Sequence, residues 1–149
     1  MDGSYQLWQF HAHWGSDNSK GSEHTVDGES YAAELHLVHW KQSKYSSPSE
    51  ACGQPDGLAV VGRFIQVGES PHEELEKILA YFEKIKCRGD KVDLDSSIDP
   101  GKLLPESADD ASYWTYDGSL TTPPLAECVI WLVLKEPLVV SQEQVRRRV

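Results

Sequence analysis

The chain has 149 residues, 39% of them hydrophobic, which suits one buried core and a single domain. A formal charge of −10 makes nucleic acid and anionic membrane surfaces electrostatically unfavourable partners. No apolar run is long enough to span a bilayer, and Met1-Asp2-Gly3-Ser4 lacks the basic and apolar regions of a signal peptide.

In chain order, Tyr5 to Trp14 and Tyr31 to Trp40 read as strands, rich in aromatic and apolar residues and separated by the turn-rich stretch Gly15 to Gly21. A polar loop through Pro55-Asp56-Gly57 leads to a third strand, Leu58 to Val67. A helix is then predicted, with Ser70 as N-cap, Pro71 at the first helical position and Glu73 completing a capping box. Its apolar positions Leu75, Ile78, Leu79, Phe82 and Ile85 form a core-facing stripe, Gly89 supplies the stop, and His72 is expected to face solvent. Asp90 to Tyr116 shows no strong periodicity and is broken by Pro100-Gly101 and Pro105, which predicts a long ordered loop. Glu127 to Leu134 is the last strand, and Pro137 is expected to stop it from extending as a central one. These strands are expected to share one sheet. Arg146-Arg147-Arg148 reads as a solvated terminal face. Cys52, Cys87 and Cys128 are odd in number and scattered, which predicts reduced thiols, with Cys128 a small buried strand residue. There is no repeat, low-complexity tract or linker to mark a domain boundary.

The chemistry-bearing pattern is Phe10-His11-Ala12-His13-Trp14 followed by Glu34-Leu35-His36-Leu37. Side chains two apart on a strand share a face, so His11 and His13 can hold one ion from one strand while His36 reaches it from a neighbour. Three imidazoles leave a fourth tetrahedral position open, which is the arrangement of a catalytic zinc site rather than a structural one. All three are expected to point into a protected interior. Gln9 shares a face with His11 and Glu34 with His36, so each can fix the tautomer of its histidine. His39 projects to the opposite face from His36 and is expected to be structural. A cupin-like oxygenase also uses His-x-His on a strand, but such sites add a carboxylate, and Gly15 follows Trp14 where one would stand.

Together with Gly21-Ser22-Glu23-His24-Thr25-Val26-Asp27-Gly28, Ala32 to Trp40, Asp56 to Val60 and Gly118-Ser119-Leu120-Thr121-Thr122-Pro123-Pro124, these histidines resemble the α-class carbonic anhydrases, from about Gln9 to the last residues. The resemblance implies a mainly β (α+β) fold, a central twisted and mostly antiparallel sheet flanked by short helices. It implies a lyase that reversibly hydrates carbon dioxide to bicarbonate and a proton through a zinc-bound hydroxide. His11, His13 and His36 are then the zinc ligands, with Gln9 and Glu34 orienting two of them. Thr121 accepts a hydrogen bond from the hydroxide and donates its own proton to Glu23. Val38, Val60, Leu120, Val129 and Trp131 line the carbon dioxide pocket, Thr122 lies beside bicarbonate, and His24 and Tyr116 are buried polar groups that brace the site.

The resemblance further implies binding of sulfonamide-type inhibitors and a monomer when the domain is complete. In this family further segments precede the strand near Tyr5 and follow Val149, so residues 1–149 read as a single incomplete catalytic domain in which no proton shuttle can be assigned. A sheet without those segments is expected to expose edges and apolar surface. The competing readings are an inactive truncated fragment and a silent member acting as an interaction module. Silent members typically lose a zinc ligand, whereas all three are present here. Secreted members often carry a cysteine where Leu125 stands, which favours a cytoplasmic form and leaves open a mitochondrial leader ahead of Met1.

Overall fold

The structure, a computed structural model, describes residues 2–107 and 111–147. Its elements are β1 (Gln6–Trp14), β2 (Ala33–Trp40), α1 (Pro48–Ala51), β3 (Leu58–Gly68), α2 (Glu73–Leu79), β4 (Tyr113–Gly118), β5 (Val129–Ser141) and α3 (Gln142–Arg146). Single 3₁₀ turns occur at Phe82–Lys84 and Pro100–Leu103. Among the described residues the strands form one mixed sheet in the order β1-β2-β3-β5-β4, in which only β3 and β5 run parallel. The mainly β, mostly antiparallel reading holds. No helix among them is long and apolar enough to cross a membrane.

Directly paired residues share a face, so the ladders sort the sheet into two sides. Ala33, Leu35 and Leu37 of β2, Ile65 of β3, and Leu138 and Val140 of β5 pack against Ile78 of α2 and Val145 of α3. The other side carries Val38, Val60, Phe64, Val129, Trp131 and Val133 as a second apolar cluster, continuous with the face that bears His11, His13 and His36. β1 and β4 are the outer strands, and each leaves large side chains exposed: Leu7, Trp8 and Trp14 on β1, Tyr113, Trp114 and Tyr116 on β4.

Several boundaries differ from the sequence reading. The stretch read as a loop from Asp90 to Tyr116 contains the 3₁₀ turn at Pro100–Leu103 and the start of β4; its residues 108–110 lie outside those described. β4 was hidden because it is an exposed edge strand with little contrast between its faces. The helix is shorter than its apolar stripe: His72, not Ser70, is the N-cap, its Nδ1 accepting from the Leu75 N–H at 3.3 Å, and the α-helix ends at Leu79. His72 is half-buried, and its backbone exchanges hydrogen bonds with the Gln144 side chain, so it is not simply solvent-facing. The short helices α1 and α3 were not foreseen. Of the terminal arginines, Arg147 pairs with Glu76, and Arg148 is outside the described residues.

Pro137 does not end β5, which runs on to Ser141. The reason is a break in register: Arg63 faces Leu134 while Ile65, two residues on, faces Leu138, so Lys135, Glu136 and Pro137 sit in an irregular bulge where a missing N–H costs no ladder bond. Arg63, only 5% exposed, holds that bulge by donating to the carbonyls of Glu136 (3.2 Å), Pro137 (3.3 Å) and Leu103 (2.7 Å). Arg63→Ala removes a charged donor from three carbonyls and is expected to lower stability by about 3 kcal/mol. Urea unfolding followed by tryptophan fluorescence measures this, and an unchanged midpoint contradicts the assigned role.

Candidate metal centre

Register builds the site. His11 pairs with His36 and His13 with Glu34 across β1 and β2, so three imidazoles and one carboxylate meet on one face. The ligand-capable nitrogens of His11, His13 and His36 all lie within 4.8 Å of one another. Their ring centroids are 5.0, 5.3 and 4.7 Å apart, and the rings are steeply inclined, not stacked, so nitrogens rather than ring faces converge.

The tautomers follow from what each ring touches. His11 Nδ1 donates to Gln9 Oε1 at 2.8 Å, which leaves Nε2 with its lone pair. His36 Nε2 donates to Glu34 Oε1 at 2.8 Å, which leaves Nδ1 free to bind. Glu34 is fully buried and accepts from four donors: His36 Nε2, His24 Nδ1 at 2.6 Å, and the backbone N–H groups of Glu23 and His24 at 3.0 and 2.8 Å. Burial alone would raise its carboxyl, but the hydrogen bonds from His24 and His36 hold it well below the usual carboxylate range. His24, Glu34 and His36 also lie close enough to be read as a second metal group, but these hydrogen bonds commit the Glu34 oxygens to holding rings in place.

His13 Nε2 is buried without a hydrogen-bond partner among the described residues. Glu23 Oε2 stands 3.4 Å from it, outside hydrogen-bond geometry, and 4.0 Å from His36 Nδ1. A buried, unsatisfied nitrogen is costly unless something binds it, and two further lone pairs point to the same place. This donor set fits a zinc ion with three neutral ligands.

Beside His11 and His36 a cavity of about 210 Å³ is lined by Gln9, His11, His36, Val38, Val60, Leu120, Thr121, Thr122 and Trp131, with Trp8, Cys52 and Leu58 completing it. Val129 lies in the apolar cluster beneath. A shift in register between Leu7 and Gln9 makes Trp8 an extra residue in β1, which lets two consecutive side chains border the cavity. Thr121 and Thr122 are exposed, carried on a turn in which the Leu125 N–H bonds the Thr122 carbonyl at 3.0 Å and the Pro123–Pro124 peptide is cis. Trp131 Nε1 donates to the Ser119 carbonyl at 3.2 Å, and its ring packs edge-on against His36.

Two expectations need correction. The histidines are not all interior: His36 is buried and His13 half-buried, but His11 is exposed because β1 is an edge strand. Tyr116 is 46% exposed on the outer strand β4, although its hydroxyl reaches His24 Nε2 at 2.6 Å. The pairing of Thr121 with Glu23 is not among the described hydrogen bonds; the Glu23 carboxylate faces His13 instead. His39 is on the other face as read, its Nδ1 donating to the Leu37 carbonyl at 2.9 Å. The sequence reading also passed over Gly62, where a Cβ would stand 3.1 Å from Glu34 Oε1. A glycine interrupting an apolar strand was the available signal.

A family comparison settles the kinship. The model of the eukaryotic-type carbonic anhydrase family matches residues 1–148. The chain belongs to the eukaryotic-type carbonic anhydrases. Proteins named "Carbonic anhydrase 3" from Rattus norvegicus and Mus musculus are each 50% identical to it over 147 residues. That alignment covers 99% of this chain and 54% of each relative, so this carbonic anhydrase chain spans about half the length of the curated relatives it matches.

Although His11 lies exposed at the sheet edge, partial desolvation of its ring against the cluster, then the neighbouring His36 and His13, lowers its pKa from 6.5 to about 4, and desolvation also lowers His13 against the pull of Glu23. Unfolded imidazoles regain a pKa of about 6.5, so the unfolded chain binds more protons between these values and stability must fall as pH falls through that window. For metal-free protein the urea midpoint is expected to drop between pH 6.5 and about 4, and His11→Gln to flatten the drop. A slope identical in the variant contradicts the shift.

Proposed function

We propose that this chain catalyses the reversible hydration of carbon dioxide to bicarbonate and a proton, with zinc held by His11, His13 and His36. The observation that carries the reading is the convergence of three ligand nitrogens within 4.8 Å, one of them buried and unpartnered, in a chain of this family. When bound, zinc supplies the charge that acidifies a water ligand into the neutral range, as is established for carbonic anhydrases.

The chain's own residues do the rest. Gln9 and Glu34 hold His11 and His36 in the tautomers that present a lone pair to the metal. His24, itself accepting from the Tyr116 hydroxyl, shares the Glu34 carboxylate and keeps it ionised and fixed. Val38, Val60, Leu120 and Trp131, backed by Val129 in the apolar cluster beneath, give carbon dioxide an apolar wall, which suits a substrate that needs no hydrogen bonds. Thr121 is assigned to orient the attacking oxygen and Glu23 to receive the threonine hydroxyl proton in a hydrogen bond, which requires the Glu23 carboxylate to turn from His13. Thr122 is assigned to the bicarbonate side of the cavity.

The test is zinc content by equilibrium dialysis with carbon dioxide hydration by stopped flow on the 149-residue chain. One zinc per chain and turnover blocked by an aromatic sulfonamide are expected; a zinc-loaded chain without turnover supports the inactive-fragment reading instead. His36→Ala is expected to abolish zinc retention, and Glu34→Gln to weaken zinc about 10–100-fold. Thr121→Ala is expected to keep zinc and lose about 100-fold in turnover; an unchanged rate removes Thr121 from the mechanism.

A further inference from the structure

β4 ends at Gly118 and β5 begins at Val129, so residues 119–128 form the loop that carries Thr121 and Thr122. The loop closes on itself through backbone bonds, the Leu120 N–H to the Ala126 carbonyl and the Leu125 N–H to the Thr122 carbonyl, both at 3.0 Å. Its middle, Thr121 to Leu125, is exposed, so packing does little to fix where Thr121 stands. Among the described side-chain hydrogen bonds, one joins this loop to the sheet: Trp131 Nε1 donates to the Ser119 carbonyl at 3.2 Å, two residues ahead of Thr121.

The indole is itself held. Trp131 is buried, and its ring packs edge-on against His36 and His24, with centroids 4.8 and 4.9 Å away. Gly118 makes room for its reach. No positive φ demands glycine there, but a Cβ would stand 2.9 Å from Trp131 Cδ1 and 3.2 Å from Nε1, so the indole could not keep its place. At the other end of the ring, a Cβ at Gly62 would be 3.7 Å from Cζ3, an ordinary contact. The tight fit is therefore at the edge that carries the N–H.

We propose that Trp131 is a positioning residue as well as a wall of the cavity: its indole N–H, given room by Gly118, ties the 119–128 loop to the face that bears His36 and so sets where the Thr121 hydroxyl stands. The metal side and the hydroxyl side of the site then share one rigid group, because the ring that touches His36 also holds the Ser119 carbonyl. A misplacement of about 1 Å can cost up to about 100-fold in rate, so a loop that drifts loses turnover even with its threonine intact. The part played by Thr121 rests on the carbon dioxide reading; the tether rests on the geometry alone.

Two variants break the link in opposite ways: Trp131→Phe keeps a ring against His36 and removes the donor, whereas Gly118→Ala keeps the donor and pushes it aside. One deletes volume and the other adds it, so a shared effect reports the hydrogen bond. In metal-free protein, amide exchange followed by NMR is expected to quicken about tenfold at Leu120 and Leu125 in both variants, with the β2–β3 ladder amides unchanged. In the zinc-loaded chain, Trp131→Phe is expected to retain zinc and lose about tenfold in carbon dioxide hydration, and Trp131→Phe/Thr121→Ala to be no slower than Thr121→Ala alone. Unchanged exchange at both amides in either variant, exchange that quickens equally across the β2–β3 ladder, or rate losses that add in the double variant overturn the proposal. Because exchange is read without zinc, a parent chain that binds zinc without turnover counts against the carbon dioxide reading, and the exchange result still decides the tether.

Discussion

The pairing of His11 opposite His36, and of His13 opposite Glu34, is the constraint on which the site depends. Strand register is all-or-none for side-chain direction: a slip of one residue in β1 would carry Gln9, His11 and His13 to the other face together. The register is held because the opposite face of β2 presents Ala33, Leu35 and Leu37 to the helices, so the slip would also expose apolar surface or bury polar groups. Packing on one side of the sheet thereby fixes chemistry on the other.

Glu34 converts that geometry into electrostatics. As a buried carboxylate it would be expensive alone, and four N–H donors, two of them imidazole, make it stable as an anion. Its oxygen in turn decides which nitrogen of His36 is left bare. Gly62 leaves space for this contact, and Trp131 closes the other side of the His36 ring. The unpartnered nitrogen of His13 is the complement of this arrangement: it is buried without a hydrogen-bond partner among the described residues and lies with the bare nitrogens of His11 and His36 in one cluster.

Much of this was legible in the residues. The His-x-His spacing and the alternation of β2 point to the triad and to Gln9 and Glu34, because a period of two is a local property that a short segment displays. What escaped is what tertiary context decides. β4 has no apolar face of its own, and its strand identity comes from its ladder with β5. Pro137 reads as a terminator only if the ladder is regular, and Arg63 supplies an irregular one. The exposure of His11 is set by the place of β1 at the sheet edge, which no pattern within β1 reveals.

The most direct test of the account is X-ray absorption at the zinc edge of the metal-loaded chain. Three imidazole nitrogens and one further light atom at about 2.0 Å are expected, with no sulfur in the coordination sphere. A sulfur neighbour near 2.3 Å, or fewer than three imidazoles, would contradict it.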